Sequence, residues 1–96
     1  MRNRKLTPII AKRTVKHVVE THSELQIEFT DGSKLHIKTG APFSGSIEGK
    51  EVKAVRQKGT EFDLDFADKT SAKITLAEET SSVILRDKDG KLEYAD

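Results

Sequence analysis

Apolar and polar residues alternate with a period of two in several short runs of this chain. Runs at 25–29 and 35–38 flank a three-residue turn that ends at Gly32. Such alternation is typical of half-buried antiparallel strands, and a left-handed glycine at the end of a three-residue turn joins two of them into a hairpin. The length of the turn fixes the register, so we expect Ile27 opposite Leu35 on the buried face.

The same pattern occurs a second time farther along the chain. Residues 15–39 and 52–76 align without a gap at an offset of 37, and seven of the 25 aligned positions are identical. The large apolar positions keep their character, although Lys69 stands where the first copy has Gly32. A left-handed residue other than glycine costs about 1 kcal/mol. The sequence therefore predicts two repeated three-stranded meanders.

The leading strand of each meander has an ambiguous register. It is a β-branched run, at 15–20 in the first copy and at 52–57 in the second. In the first copy, pairing Val18 with Leu25 leaves Val15 facing outward, and the second copy poses the same problem. A β-bulge would bring Val15 and Val18 inward together, and likewise Val52 and Val55.

Three further segments connect or flank the meanders: a basic N-terminal arm or edge strand (1–14), a glycine-rich crossover (40–51) and a C-terminal hairpin (83–95). The β-branched residues of the first segment favour a strand over a helix starting at Thr7. In the hairpin we expect Leu85 to face Leu92. The chain is thus expected to be a single all-β domain (1–96), either a small barrel or a two-layer antiparallel sheet.

The composition is that of a small folded domain. Leu, Ile, Val and Phe make up 24 of the 96 residues, and the net charge is only +1, so the chain is not expected to be disordered. It contains no cysteine, which excludes disulfides and thiolate chemistry. No apolar run approaches the length of a membrane span, so we expect a cytoplasmic protein without membrane contact.

Positive charge is concentrated at the N-terminus. Residues 1–16 carry a charge of +6, and the remaining 80 carry −5. A basic arm of this kind either contacts phosphates or a partner, or docks on its own acidic body. The candidate contact residues are Arg2, Arg4, Lys5, Lys12, Arg13 and Lys16.

No motif for catalysis, metal binding or cofactor binding emerges from the polar residues. The three histidines are expected on the surface, without a converging set of ligands. Asp63 and Asp65 line one face of a predicted strand, which resembles a glycosidase pair in spacing. We instead expect them on a solvated face, with Lys73 opposite Asp63 as a cross-strand charge pair.

Function is expected to reside in binding. Phe43 lies in the long crossover and is expected either to pack on the rim of the core or to anchor a partner. We expect a non-enzymatic protein-interaction module, acting through edge strands on an unknown protein or on a second copy. The alternative is a nucleic-acid-binding small β-barrel that uses the basic arm.

Overall fold

The computed structural model describes residues 3–96, and this range contains one short helix and eight strands. The elements are α1 (Thr7–Ile10), β1 (Val15–Glu20), β2 (Glu24–Phe29), β3 (Lys34–Lys38), β4 (Val52–Lys58), β5 (Glu61–Phe66), β6 (Ser71–Thr75), β7 (Val83–Arg86) and β8 (Leu92–Ala95). They form a five-stranded sheet in the order β1-β2-β3-β7-β8 and a three-stranded sheet in the order β4-β5-β6. All strand pairs are antiparallel, so the predicted two-layer sheet is confirmed and the closed barrel is wrong.

The hairpin registers are those predicted from the turns. Ile27 pairs with Leu35 in the first hairpin, and Leu64 pairs with Ala72 in the second. The side chains on the inner face of both hairpins are buried. Lys69 has a φ of 72°, so the residue in the glycine position of the second turn is left-handed, as predicted. Local turn geometry and period-two burial are sufficient to fix these pairings.

The leading strands solve their register problem with bulges. Val15 pairs with Phe29 and Val18 with Ile27, so the alternative that paired Val18 with Leu25 is wrong. A bulge between Val15 and His17 lets Val15 and Val18 both face the core. β4 has its irregularity at the same place, where its first valine, like that of β1, is buried. The extra residue in each strand restores inward orientation on both sides of the bulge.

The N-terminal segment is part of the core, and its predicted edge strand is wrong. Leu6 and Ile10 are fully buried. Thr7 Oγ1 accepts a hydrogen bond from the Val55 backbone N–H at 3.0 Å and donates to the Val55 carbonyl at 3.2 Å. Pro8 stands in the first turn of α1, where its missing N–H costs nothing. Burial of two large apolar side chains outweighs the strand preference of the β-branched residues.

The backbone contacts between the two halves of the chain are reciprocal at the offset of 37. The Val52 N–H donates to Arg13 O and the Val15 N–H donates to Lys50 O, both at 2.9 Å. The other ends of the meanders have the same relationship, because Gly40 N–H donates to Thr75 O and Ala77 N–H to Lys38 O. The residues between the meanders therefore contact the first meander much as the N-terminal segment contacts the second.

The C-terminal hairpin covers the edge of β3. Val83 and Leu85 are buried, and Leu85 pairs with Leu35. The predicted pairing of Leu85 with Leu92 is wrong, since Leu85 faces Tyr94 and the register shifts between Leu85 and Arg86. As a result Leu92 points into solvent with 51% of its surface exposed.

Candidate functional site

The predicted basic cluster does not form a free arm. Arg4, Lys5, Lys12 and Lys16 are exposed, and Arg2 lies outside the described residues. Arg13 is half-buried and donates to both carboxylate oxygens of one glutamate, the side chain of Glu93, at 2.8 and 3.0 Å. This hydrogen-bonded carboxylate raises the pKa of Arg13 above its usual value. The positive charge of Arg13 is therefore neutralised by a carboxylate of the same protein.

Arg13 also braces the turn of the first hairpin. Its Nε lies 3.4 Å from Asp31 Oδ2, and its Nη1 donates to Ser33 Oγ at 3.0 Å. In the second half of the chain, Lys50 Nζ lies 3.2 Å from Oδ2 of Asp68, the aspartate of the corresponding hairpin turn. The backbone of the basic segment lies against the body of the protein from Asn3 to Arg13, and the Arg13 side chain pairs with carboxylates of that body. The exposed cations of the segment leave the prediction of phosphate or partner contact open.

Phe43 packs on the rim of the core. Its side chain is half-buried against the hydrophobic cluster, and its backbone N–H donates to Glu20 Oε2 at 2.7 Å. Gly45 lies against the ring, where an added Cβ would sit 3.4 Å from its Cζ. Of the two alternatives predicted for Phe43, its position in the structure is the one on the rim of the core.

The histidines do not converge on one point. His36 is half-buried on β3 with its Nδ1 3.7 Å from Glu24, whereas His17 and His22 are exposed. Within residues 3–96, no three His, Asp or Glu side chains are arranged to hold a metal ion.

The acidic row on β5 differs from the prediction at its centre. Asp63 is only 6% exposed, so its expected position in solvent is wrong. It lies on the middle strand of the sheet, between Arg56 on one side and Lys73 on the other, and these long side chains flank it. Its Oδ2 lies 3.6 Å from Arg56 Nη1, while its buried Oδ1 has no hydrogen-bond partner within the described part of the chain.

Asp65 forms the shorter ion pair with Arg56, at 2.8 Å against 3.6 Å for Asp63. We therefore expect the stability of the protein to depend on pH in the acid range. The Arg56 guanidinium donates to both of its oxygens at 2.8 and 2.9 Å, and Ser71 Oγ donates at 2.7 Å. These hydrogen bonds hold the pKa of Asp65 below its usual value of 3.8, with the Arg56 bonds as the largest cause. A depressed pKa stabilises the fold above the unfolded-state pKa, and this contribution is lost as pH falls through the folded-state value.

Asp65→Asn is therefore expected to lower stability near neutral pH and to lose this effect in acid. Urea denaturation of both proteins between about pH 7 and pH 2 measures the difference, which should shrink as pH falls below 3.8 and through the depressed pKa of Asp65, because the Asp65 side chain then becomes neutral. Glu61→Gln, which removes one carboxylate at an exposed position on the same face, is the control for the loss of a negative charge. A constant difference across the whole range would contradict this assignment of the ion pair.

The free edge of β6 is the most accessible set of backbone hydrogen-bonding groups on the three-stranded sheet. Phe66 N–H donates to Thr70 O and Leu76 N–H to Thr60 O, so the ladder between β5 and β6 is defined at both ends. Since hydrogen-bonded pairs alternate along an antiparallel ladder, Ala72 and Ile74 bond to β5. The N–H and C=O groups of Ser71 and Lys73 then point away from the sheet.

These outward groups have no backbone partner among residues 3–96, apart from the end of the strand, where Thr75 O accepts from Gly40. Ser71, Lys73 and Thr75 are all exposed. A surface cavity of about 280 Å³ adjoins the first residue of the strand, with Phe66 and Lys69 in its wall. We name the outward backbone groups of residues 71–75 the β6 edge.

The edge of β3 has the same local geometry but is occupied. β3 and β6 are related by the offset of 37, and the outward groups of β3 belong to Lys34, His36 and Lys38. β7 pairs with them, and Lys38 N–H donates to Ser82 O at 2.7 Å. The chain thus covers one of two similar edges with its own C-terminal hairpin.

The longest helix among residues 3–96 has four residues, far fewer than a helical membrane crossing requires. No protein-family model matches the sequence, and comparisons with the curated proteins and with the solved structures also give no match.

Proposed function

We propose that this protein is a non-enzymatic interaction domain that binds a protein partner by adding a strand to the β6 edge. The observation that carries the proposal is the row of backbone groups at Ser71 and Lys73, which have no backbone partner among residues 3–96. A strand that leaves such groups exposed is a template for pairing with another chain. Backbone hydrogen bonds supply affinity in this mode of recognition, and pockets for alternate side chains supply selectivity. The cysteine-free composition suits a cytoplasmic setting for this interaction.

The proposal includes the interpretation that residues 3–39 and 40–76 are two copies of one structural unit. Reciprocal hydrogen bonds between the halves support it, as does the shared left-handed conformation of Lys12 (φ 75°) and Gly49 (φ 83°). Under this interpretation β3 and β6 are equivalent strands. The occupied edge of β3 then indicates what kind of segment the β6 edge accepts.

Lys73→Pro is expected to weaken partner binding strongly while leaving the domain folded. The Lys73 N–H points away from β5, so proline removes a donor that the internal ladder does not use, and edge strands tolerate proline there. Affinity capture with the wild-type protein, quantified by mass spectrometry and followed by titration of the captured partner, measures the effect. We expect binding to weaken at least tenfold.

Lys73→Ala is the matched control for this experiment. It removes the same side chain but keeps the backbone N–H, so it should retain most of the binding if backbone pairing provides the affinity. A partner that binds Lys73→Pro as tightly as wild type would contradict the proposal.

Nucleic-acid binding is the second candidate function, supported by the exposed cations Arg4, Lys5, Lys12 and Lys16. It predicts that oligonucleotide affinity falls steeply between about 50 and 200 mM salt. Lysine and arginine side chains that bind phosphates displace the counterions condensed on the nucleic acid, and added salt opposes this release. Fluorescence anisotropy of the double variant Lys5→Gln, Lys12→Gln measures the contribution of the cluster, with Lys88→Gln, Lys91→Gln as an exposed control pair. Absence of binding at low salt would eliminate this candidate.

A further inference from the structure

We infer that the β6 edge selects an antiparallel segment with the pattern apolar–acidic–apolar, whose acidic residue lies opposite Lys73. The inference rests on the proposed function and specifies the class of partner. Its template is the way β7 occupies the equivalent edge of β3. There Val83 and Leu85 face the core while Ile84, between them, lies opposite His36 on the outer face.

The register of the incoming strand follows from the offset of 37. Leu35 and Ile37, which face Leu85 and Val83, correspond to Ala72 and Ile74. His36, which faces Ile84, corresponds to Lys73. An incoming strand that repeats the β7 geometry would therefore place two inward side chains beside Ala72 and Ile74, and one outward side chain beside Lys73.

The inward positions favour apolar side chains. Ala72 and Ile74 retain 5% and 2% exposure, whereas their counterparts Leu35 and Ile37, covered by β7, are at 0%. Ala72 is also smaller than Leu35, so the rim of the core beside β6 carries less apolar volume than the rim beside β3. Apolar side chains on the partner would lie beside these two core residues, as Val83 and Leu85 lie beside Leu35 and Ile37.

The outward position favours an acid. Lys73 is exposed, and its cross-strand neighbour Asp63 has its closest ion-pair contact with Arg56 on the opposite side. Within residues 3–96 the ammonium group of Lys73 forms no ion pair. Opposite charges in directly facing strand positions stabilise the pairing, and like charges destabilise it.

The same charge disfavours a second copy of this chain as the occupant. Two β6 strands in their fully overlapping antiparallel register would place Lys73 opposite the Lys73 of the other copy. This like-charge pair opposes association. Lysine on an edge strand is a common device against edge-to-edge pairing of identical chains. We therefore assign the β6 edge to a different protein that supplies the acid.

The test uses two synthetic peptides that copy residues 80–88 of this chain, one with Ile84→Glu and one with Ile84→Lys. Each is titrated into the isotope-labelled protein, and backbone amide shifts are followed by NMR. We expect shifts at Ser71 and Lys73 but not at His36, whose edge β7 already covers. The Glu peptide should bind about two- to fivefold more tightly than the Lys peptide, and the Lys73→Glu protein should reverse this order.

Three outcomes would overturn the inference: equal affinity for the two peptides, shifts that map to another edge, or a concentration-dependent dimer that Lys73→Pro abolishes. The experiment separates this inference from the proposed function. If the peptides show no charge preference but Lys73→Pro still loses the captured partner, only the selectivity inference fails. If Lys73→Pro retains the partner, the proposed function fails, whatever the peptides do.

Discussion

Ile10→Ala is expected to lower the free energy of unfolding by about 2–5 kcal/mol, the range for truncating a buried aliphatic side chain. Ile10 is fully buried, although it lies in the basic N-terminal segment that the charge pattern predicted to be an arm. Ile47 is its counterpart in the second half, with 4% exposure, so Ile47→Ala should cost a similar amount. Urea denaturation at fixed pH measures both effects.

The control in the same segment is Lys5→Ala, which alters an exposed side chain and should change stability by no more than about 0.5 kcal/mol. If Ile10→Ala were as mild as this control, the segment would be a dispensable arm. The expected result also bears on the nucleic-acid candidate. Deleting residues 1–13 would remove Leu6 and Ile10 from the core, so lost binding after that deletion would report unfolding and charge together.

The two hairpins were predictable because local signals determine them. A three-residue turn with a left-handed final residue fixes the register, and period-two burial confirms it without any long-range contact. The presence of bulges in β1 and β4 was predictable, since Val15 and Val18 can both face the core only if the strand contains an extra residue between them. The position of each bulge was not predictable, because the sequence allows Val18 to pair with either Leu25 or Ile27 and only the fold shows that it pairs with Ile27.

The proposed correspondence between residues 3–14 and 40–51 has almost no support in the sequence. Across these twelve aligned positions Ile10 and Ile47 are the only identity. What the segments share is the burial of Ile10 and Ile47 and the left-handed backbone of Lys12 and Gly49, two residues with no chemical similarity. The one usable signal is the basic residue at 13 and 50, which in each half contacts the aspartate of the following hairpin turn.

The candidate site was out of reach of sequence reasoning for a topological reason. β3 and β6 have the same alternating pattern, and nothing in either strand indicates which one β7 will pair with. That choice depends on long-range packing, in which Val83 and Leu85 complete the core beside β3. The sequence predicts that edge strands exist, and the fold decides which of the β3 and β6 edges β7 covers.

The direction of the β6 hydrogen bonds is the assumption on which both the proposed function and the partner class depend, and a pair of proline variants tests it. Ala72→Pro removes an N–H that bonds to β5 and is expected to cost about 3 kcal/mol or more. Lys73→Pro removes an N–H that points outward and is expected to cost no more than about 1 kcal/mol. The two sites are adjacent in one strand, so they share sheet position and differ in the direction of the lost donor. Denaturation of both variants in urea, with circular dichroism to confirm retained β-structure, gives the comparison. The reverse order of effects would mean that Ala72 and Ile74 present the free groups, and a partner strand would then meet a different set of side chains.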